Sequence, residues 1–277
     1  MISTIIFSKD RANQLNLLLE SIDENGSNLF DSTVIYTATD DSFQEGYDKL
    51  LDAYSDINFI KQNDAPSDFR EITLEAINNC GEYVCFFVDD NIIYRKIDVD
   101  FNSICKLFEH DDNVVCLSLR LGVNTLIQNE YKGVYSPVPQ KVEVFEDTYI
   151  LWDWTALPSH TNFAYPFSVD GHIFKTKTVS DMIDYDFDTP NGFEGRGKAD
   201  SLPAVMSCFS ESIVVNSPIN IVGSSANAAG IKYGMSLEKL NEMFLEGQAI
   251  DLKSMDFSNV RGCHQEIQYQ FKGEVKC

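Results

Sequence analysis

The sequence predicts a single α/β domain built on a mostly parallel sheet. Short apolar runs typical of strands alternate with amphipathic stretches typical of helices between residues 2 and 119. Such an order implies neighbouring parallel strands with helices on both faces of the sheet. In addition, the apolar run CFFV stops abruptly at Asp89 and Asp90. Because ligands of open α/β sheets bind beyond the carboxyl ends of the strands, this stop also predicts where a site lies.

The first half of the chain supplies most of the predicted elements. Strands are expected at residues 2–7, 34–37, 57–61, 83–88 and 114–119. Helices are expected between them, at residues 10–22, 44–54, 69–79 and 102–109. The first helix is indicated by four apolar residues that share one face, namely Leu15, Leu18, Leu19 and Ile22.

The second half is less regular. Residues 124–146 are expected to be irregular, and residues 166–179 to form a strand that leads into a helix. A loop feeding a short helix is expected over residues 189–206, and a strand over residues 213–215. The last helix is predicted at residues 236–246, with Ser236 as its N-cap and Gly247 beyond its end.

Composition limits the classes of partner. The chain has 43 acidic and 21 basic residues, a formal net charge of −22, which argues against nucleic acid or an anionic membrane surface. A nucleotide remains compatible, because a divalent metal can lie between two anionic groups. The 7 cysteines include no CxxC spacing and indicate a reducing compartment. We see neither a signal peptide nor an apolar segment long enough to span a membrane, which predicts a cytoplasmic protein without a transmembrane segment.

The motif VDDN, with Asp89, Asp90 and Asn91, is the first candidate site. Adjacent carboxylates repel each other, and burying them without a partner is costly. Mn²⁺ or Mg²⁺ would remove that cost, since hard cations bind carboxylate oxygens and keep positions open for phosphate. The alternative is a solvated turn that caps the next element.

Two segments carry a resemblance to known enzymes. ISTIIFSKDRANQLNLLLESI and EYVCFFVDDNII resemble the opening strand, donor-binding turn and DxD-type strand of the GT-A fold, the Rossmann-like fold of nucleotide-sugar glycosyltransferases. The stretch TPNGFEGRG and the C-terminal segment resemble a narrower group of bacterial family 2-like glycosyltransferases. The third position of the motif departs from D-x-D, because it is Asn91. The resemblance implies a GT-A-like mostly parallel sheet flanked by helices, with a C-terminal helical extension.

The resemblance also implies a division of labour within one domain of residues 1–277. Residues 1–124 would bind the nucleotide sugar, residues 125–222 the acceptor, and residues 223–277 would form a C-terminal lid or extension. The residues assigned to the donor are Ser8, Lys9, Arg11, Asp40, Asp89 and Lys232. Simpler roles stay open for three of them: a helix cap at Ser8, a solvated acidic turn at Asp40 and a mobile connection around Lys232.

Glu194 is the first candidate for the general base that activates a hydroxyl acceptor, and Asp170 is the second. Glu194 could instead be a glutamate that starts a helix, where the dipole favours it. In many of the enzymes that the sequence resembles, a histidine near the end of the chain binds the metal. The resemblance therefore implies His264 as a metal ligand, together with Asp89, Asp90 and Asn91. A lone histidine is more often a surface residue.

The predicted function is metal-dependent transfer of a sugar from a nucleoside-diphosphate sugar, UDP-linked, to a carbohydrate or other hydroxyl acceptor. An inverting reaction in glycan or surface polysaccharide synthesis is expected. Two alternatives stay open. A nucleotidyltransferase uses a related sheet and the same metal, but SKDRANQ lacks the glycines of its phosphate loop. A non-catalytic nucleotide-sugar or carbohydrate-binding protein would keep the fold without the base.

Overall fold

The protein is described by a computed structural model, which covers residues 1–129, 134–195, 202–222 and 229–272. The strands are β1 (Ile2–Lys9), β2 (Phe30–Thr37), β3 (Asn58–Lys61), β4 (Tyr83–Val88), β5 (Asn91–Ile93), β6 (Val114–Ser118), β7 (Ile127–Asn129), β8 (Val134–Tyr135), β9 (Glu143–Phe145), β10 (Tyr149–Asp153), β11 (His172–Lys175), β12 (Val205–Phe209) and β13 (Val214–Asn216). The α-helices are α1 (Ala12–Asn25), α2 (Asp41–Ala53), α3 (Phe69–Asn78), α4 (Phe101–His110), α5 (Thr176–Met182), α6 (Pro190–Gly195) and α7 (Leu237–Leu245).

A nine-stranded mixed sheet forms the centre, in the order β3-β2-β1-β4-β11-β6-β12-β10-β9. Strands β3, β2, β1 and β4 are parallel, and β12 is parallel to β6. Strand β11 runs antiparallel between β4 and β6, and β10 and β9 continue the sheet antiparallel. The predicted mostly parallel sheet with flanking helices is therefore confirmed, and the antiparallel strands are added to it.

The core consists of one apolar layer on each face of the sheet. Successive side chains of a strand point to opposite faces, so Phe87 of β4 joins one layer and Phe86 the other. Helices α1, α2 and α4 cover the first layer, whereas α3, α5 and α6 cover the second. A central strand buried on both faces reads as a continuous apolar run, which explains the sequence YVCFFV of β4.

The C-terminal segment forms a third apolar cluster against the first half of the chain. Leu240 of α7 packs in this cluster with Leu17 of α1, Ile92 of β5 and Phe271. Helix α7 begins as predicted, because the Ser236 hydroxyl accepts a hydrogen bond from the Lys239 N–H at 3.1 Å. Among described residues 229–272, α7 is the only α-helix, so the extension is only partly helical.

Two predictions about the second half were wrong in detail. The segment expected as a loop feeding a helix begins with helix α6 and ends in strand β12. The run VMSCF of β12 is short and apolar, and periodicity alone does not separate such a buried strand from a helix. Strands β7, β8 and β9 interrupt the region expected to be irregular, and β5 pairs with β13 directly after the acidic motif.

A glycine in α2 tests how α1, α2 and α7 pack. A Cβ on Gly46 would lie 2.5 Å from Asn241 Oδ1 and 2.9 Å from Ala12 Cβ. Alanine is better than glycine by about 1 kcal/mol in a helix interior, but overpacking costs about 1–3 kcal/mol. We therefore expect Gly46→Ala to lower the free energy of urea unfolding. The matched control is Gly195→Ala, whose Cβ would meet nothing within 4 Å; a stabilised Gly46→Ala protein would contradict this packing.

Candidate functional site

A network of buried polar groups lies where β1 and β4 end. The side chain of Asp89, directly after β4, accepts hydrogen bonds at 2.9 Å from the Ser8 hydroxyl and from the Lys9 N–H. Ser8 also contacts the Tyr47 hydroxyl at 2.7 Å. The carboxyl ends of two neighbouring parallel strands therefore meet at one acidic side chain, as the sequence predicted.

Arg11 binds both aspartates of the motif. Its Nη1 donates to Asp89 Oδ1 and to Asp90 Oδ2, each at 2.9 Å. All three side chains are at most 9% exposed, so the pairing is largely shielded from water. Burial raises the pKa of Asp89 to about 6, while the charge of Arg11 opposes this shift and that of Asp90 adds to it.

Two asparagines link this pair to a second acidic centre. Asn216 Nδ2 donates to Asp90 Oδ1 at 2.6 Å and to Asp170 Oδ1 at 3.3 Å. Asn91 Nδ2 donates to Asp170 Oδ1 at 3.2 Å. These amides connect the end of β4 with the residues that precede β11 and with the end of β13.

Asp170 is anchored by a cation and an imidazole. Arg120 Nη1 donates to Asp170 Oδ2 at 2.9 Å, and His264 Nε2 lies 3.0 Å from the same oxygen. Burial by itself raises the pKa of Asp170, but its bond to His264 and the charges of His264 and Arg120 together lower it below its usual value. Arg120 is 3% exposed, and its guanidinium lies 5.7 Å from the ring centroid of Tyr165. Asp170 is therefore held ionised.

Glu194, carried by α6, belongs to the same centre. Its Oε1 accepts a hydrogen bond from the Val169 N–H at 3.2 Å. Burial raises the pKa of Glu194 and the charge of Asp170 raises it further, whereas Arg120 lowers it. The two predicted bases thus have pKa values shifted in opposite directions, which is the usual sign that two carboxylates have different tasks.

The acidic turn after β2 lies beside the first strand. Asp40 caps α2, because its Oδ1 accepts from the Phe43 N–H at 3.0 Å. Asp10 bonds the N–H and hydroxyl of Thr39 at 2.7 and 3.0 Å. Asp10 has a left-handed φ of 55°, unusual for a residue other than glycine. Asp40 is exposed at this edge, and its role in binding the donor stays a prediction.

Lys232 lies in a segment tied to the site through Glu266. The Glu266 carboxylate accepts the backbone N–H groups of Ile231, Lys232 and Tyr233 at 2.7–2.9 Å. The next residue, Ile267, donates its N–H to the Ser217 hydroxyl, and the Ser217 N–H bonds the Asp90 carbonyl. Lys232 itself is exposed. The start of the predicted lid, residues 223–228, lies outside the described residues.

The predicted metal ligands are not arranged as a metal site. Hydrogen bonds from Arg11 and from neighbouring groups occupy the oxygens of Asp89 and Asp90. Asn91 was expected to offer its oxygen, but Asn91 Oδ1 accepts the Val88 N–H at 2.9 Å. His264 lies against Asp170 instead. In the part of the chain that the structure describes, no three His, Cys, Asp or Glu side chains converge on a point that could hold an ion.

Sequence reasoning missed four residues of the network, namely Tyr47, Arg120, Asn216 and Asn220, whose carbonyl accepts a hydrogen bond from Arg11 Nη2 at 2.6 Å. Arg120 follows the end of β6, so a search for polar residues at every strand end could have found it. Asn216 ends β13, so the same search could have found it, whereas Asn220 lies in the loop beyond, where no periodic pattern marks it. His172, which the sequence left with little support, is buried, and burial lowers its pKa to about 3.

Comparison with known proteins gives a partial match. No family model matches the chain. Over 106 residues, 35% of this chain, it is 32% identical to the bifunctional glycosyltransferase pgtA of Dictyostelium discoideum. The chain covers 14% of the length of that relative. The resemblance to glycosyltransferases is therefore confirmed for about a third of the chain.

Solved structures with a similar arrangement include one that is a mannosyltransferase by name. Staphylococcus aureus TarS aligns over 77% of this chain and 36% of its own, with 17% identity and a TM-score of 0.48. The mannosyltransferase PcManGT from Pyrobaculum calidifontis, in complex with GDP-Man and Mn²⁺, aligns over 76% of this chain and 54% of its own, with 9% identity and a TM-score of 0.44. At such scores, the fold assignment rests on the strand order of the chain itself.

None of the described helices combines the length and apolarity that a membrane crossing requires.

The anchoring of Asp170 predicts how stability depends on pH. Asp170 has a lower pKa in the folded than in the unfolded state, so its ionisation contributes stability in full above the unfolded pKa near 3.8. This contribution decreases progressively as the pH falls from that value toward the lower pKa of the folded state. We expect Asp170→Asn to cost about 3–5 kcal/mol at pH 7, because Arg120 loses its buried partner. The cost should stay constant down to pH of about 4 and shrink at pH of about 3 in urea unfolding.

The control for this titration is Asp112→Asn, because the Asp112 side chain is 97% exposed and pairs only loosely with Lys175 at 3.4 Å. It should leave unfolding nearly unchanged at both pH values, since exposed pairs contribute little. An Asp170→Asn cost that is small at pH 7, or that grows on acidification, would contradict the described anchoring.

Proposed function

We propose that the chain transfers a sugar from a nucleoside-diphosphate sugar, UDP-linked, to the hydroxyl group of an acceptor. One observation carries the proposal. Glu194, a carboxylate of raised pKa, accepts a hydrogen bond from the N–H of Val169, the residue before Asp170, and Asn216 links Asp170 to Asp90 of the acidic pair. The partial identity to a bifunctional glycosyltransferase supports this chemistry.

The donor is proposed to bind at the ends of β1, β2 and β4. Asp40 is exposed there and could accept hydrogen bonds from the base or ribose. Lys9 and Lys232 are exposed cations that could bind the diphosphate, and the Ser8 hydroxyl donates a hydrogen bond to Asp89. Because the chain carries a net charge of −22, such local cations are needed to bind an anionic donor.

Glu194 is proposed as the base and Asp170 as a positioning residue. Asp170 was the second candidate for the base, but donors surround both of its oxygens and its lowered pKa makes it a poor proton acceptor. Glu194 has a raised pKa, as a general base near neutral pH requires. It would take the acceptor's hydroxyl proton while that oxygen bonds to the anomeric carbon and the bond to the diphosphate breaks. Attack opposite the leaving group inverts the anomeric centre.

The metal implied by the sequence has no place in these steps. Mn²⁺ or Mg²⁺ would supply positive charge at the leaving diphosphate. The residues expected to hold it are occupied by hydrogen bonds in the described structure. No step of the proposed reaction passes through a metal ion.

The proposal is tested first by binding. UDP, GDP, CDP and ADP are titrated into the full chain by calorimetry, with and without a divalent ion, and the preferred nucleotide is then supplied as a panel of nucleotide sugars. Binding of one nucleotide, and release of the same nucleotide from its sugar conjugate in the presence of simple glycosides, is the expected result. Failure of every nucleotide to bind under both conditions would overturn the proposal.

The role of Glu194 is tested by Glu194→Gln. Loss of the base should lower kcat by about 10²–10⁴-fold and leave the dissociation constant of the nucleotide within about twofold. Rates are measured from nucleotide release, and binding by calorimetry. The control is Glu242→Gln on α7, whose side chain is 59% exposed and pairs with Lys239. Unchanged turnover in Glu194→Gln would remove Glu194 from the mechanism and favour Asp170 or a non-catalytic binding function.

The pH profile of kcat gives an independent check. A general base acts in its deprotonated form, so kcat should fall as the pH drops through the pKa of Glu194. Burial raises that pKa above its usual value of 4.5, so kcat should already fall at a pH above 4.5. A profile that stays flat down to pH 4.5 would show that no buried carboxylate of raised pKa controls the reaction.

A further inference from the structure

We propose that Arg11 is the resident cation of the Asp89–Asp90 pair, in the position where the sequence resemblance places a divalent metal, and that the chain binds its nucleotide without such an ion. The inference rests on the proposed function for the identity of the ligand. The inference identifies the positive charge that stabilises two adjacent buried carboxylates.

The first argument is geometric. A single nitrogen of Arg11, Nη1, lies 2.9 Å from one oxygen of each aspartate, so it bridges the two side chains as a shared ion would. The remaining oxygens are also occupied: Asp89 Oδ2 by the Ser8 hydroxyl and the Lys9 N–H, and Asp90 Oδ1 by Asn216 Nδ2. Every carboxylate oxygen of the pair thus accepts at least one hydrogen bond already, whereas a hard cation needs several oxygen ligands at once.

The second argument is that hydrogen bonds to Asn220 hold the Arg11 guanidinium in place. Its Nε donates to Asn220 Oδ1 at 2.8 Å, and its Nη2 donates to the Asn220 carbonyl at 2.6 Å. Asn220 is in turn fixed by its Nδ2, which donates to the Met235 carbonyl at 3.1 Å. A metal ion that took the place of Arg11 would break these bonds together with both ion pairs.

The third argument is energetic. Arg11 is 9% exposed, and a guanidinium keeps its charge at every physiological pH. Removing one partner of a buried ion pair leaves an uncompensated charge, which is strongly destabilising. Expulsion of Arg11 by a metal would move a buried cation away from two buried anions, so the metal would have to replace both the charge and the hydrogen bonds. Phosphate charge would then be met by the exposed Lys9 and Lys232.

Direct titration with Mn²⁺ decides the first part of the inference without any nucleotide. Free Mn²⁺ is followed by electron paramagnetic resonance in the presence of the wild-type chain, Arg11→Met and Arg11→Lys. Wild type and Arg11→Lys should leave Mn²⁺ free, whereas Arg11→Met, which exposes two uncompensated carboxylates, should bind about one equivalent at least tenfold more tightly. Binding of one Mn²⁺ by wild type, or no gain in a folded Arg11→Met chain, would overturn the inference.

The matched control is Arg95→Met. Arg95 pairs with one carboxylate, that of Glu211, and both side chains are about half exposed. Its removal should therefore not create Mn²⁺ binding. Circular dichroism reports whether Arg11→Met folds. If it does not, the wild-type titration alone still decides, because tight Mn²⁺ binding by wild type contradicts a site already filled by Arg11.

Nucleotide binding decides the second part. UDP, or the nucleotide preferred by the chain, is titrated in EDTA and again in Mn²⁺ by calorimetry. Dissociation constants that agree within about twofold are expected. Binding at least tenfold tighter with Mn²⁺ would overturn metal independence while leaving the proposed function intact. No binding in either buffer would overturn both the proposed function and the metal-free nucleotide site, and the Mn²⁺ titration would still report separately on Arg11.

Discussion

The charge balance between Arg11 and the two aspartates after β4 is the constraint on which the rest of the site depends. Asp89 and Asp90 are each at most 7% exposed, and two adjacent buried carboxylates persist only with a compensating cation. Arg11 supplies that cation from the turn between β1 and α1. The same side chain reaches Asn220, so the opening strand, the acidic motif and the C-terminal half are held by one guanidinium.

Asp170 is also a buried carboxylate paired with an arginine, but its pKa is lowered, whereas that of Asp89 is raised. Arg120 and His264 lie against one carboxylate oxygen, and the asparagine amides donate to the other, so the pKa of Asp170 falls. Burial raises the pKa of Glu194, and the charge of Asp170 raises it further. Burial beside a fixed anion therefore makes Glu194 a better proton acceptor. The opposite directions of the two pKa shifts arise from burial and from which donors each carboxylate binds.

The sequence predicted the sheet edge well because strand ends obey a topological rule. The apolar run of β4 ends at residue 88 as expected, and Ser8, Lys9 and Arg11 meet Asp89 there. What holds the aspartates was not predictable in the same way. Whether two carboxylates receive a metal or a guanidinium depends on side-chain reach across the fold, and Arg11 and Asn220 are separated by 209 positions. Likewise, the orientation of Asn91 is set by the Val88 N–H, a local turn that residue types alone do not specify.

The guanidinium also changes what the acidic motif can be expected to do. A divalent ion carries two charges and would leave Asp89 and Asp90 neutral as a set, whereas Arg11 carries one and leaves a surplus negative charge beside the place proposed for the diphosphate. Burial is the main cause of the raised pKa of Asp89, and the neighbouring charge of Asp90 adds to it. A donor that binds here must therefore gain its electrostatic attraction from cations outside the pair, which places the demand on exposed lysines such as Lys9 and Lys232. Under the proposed function, the motif would hold Arg11 and the ends of β1 and β4 in place, while exposed lysines would supply the charge that meets the phosphates.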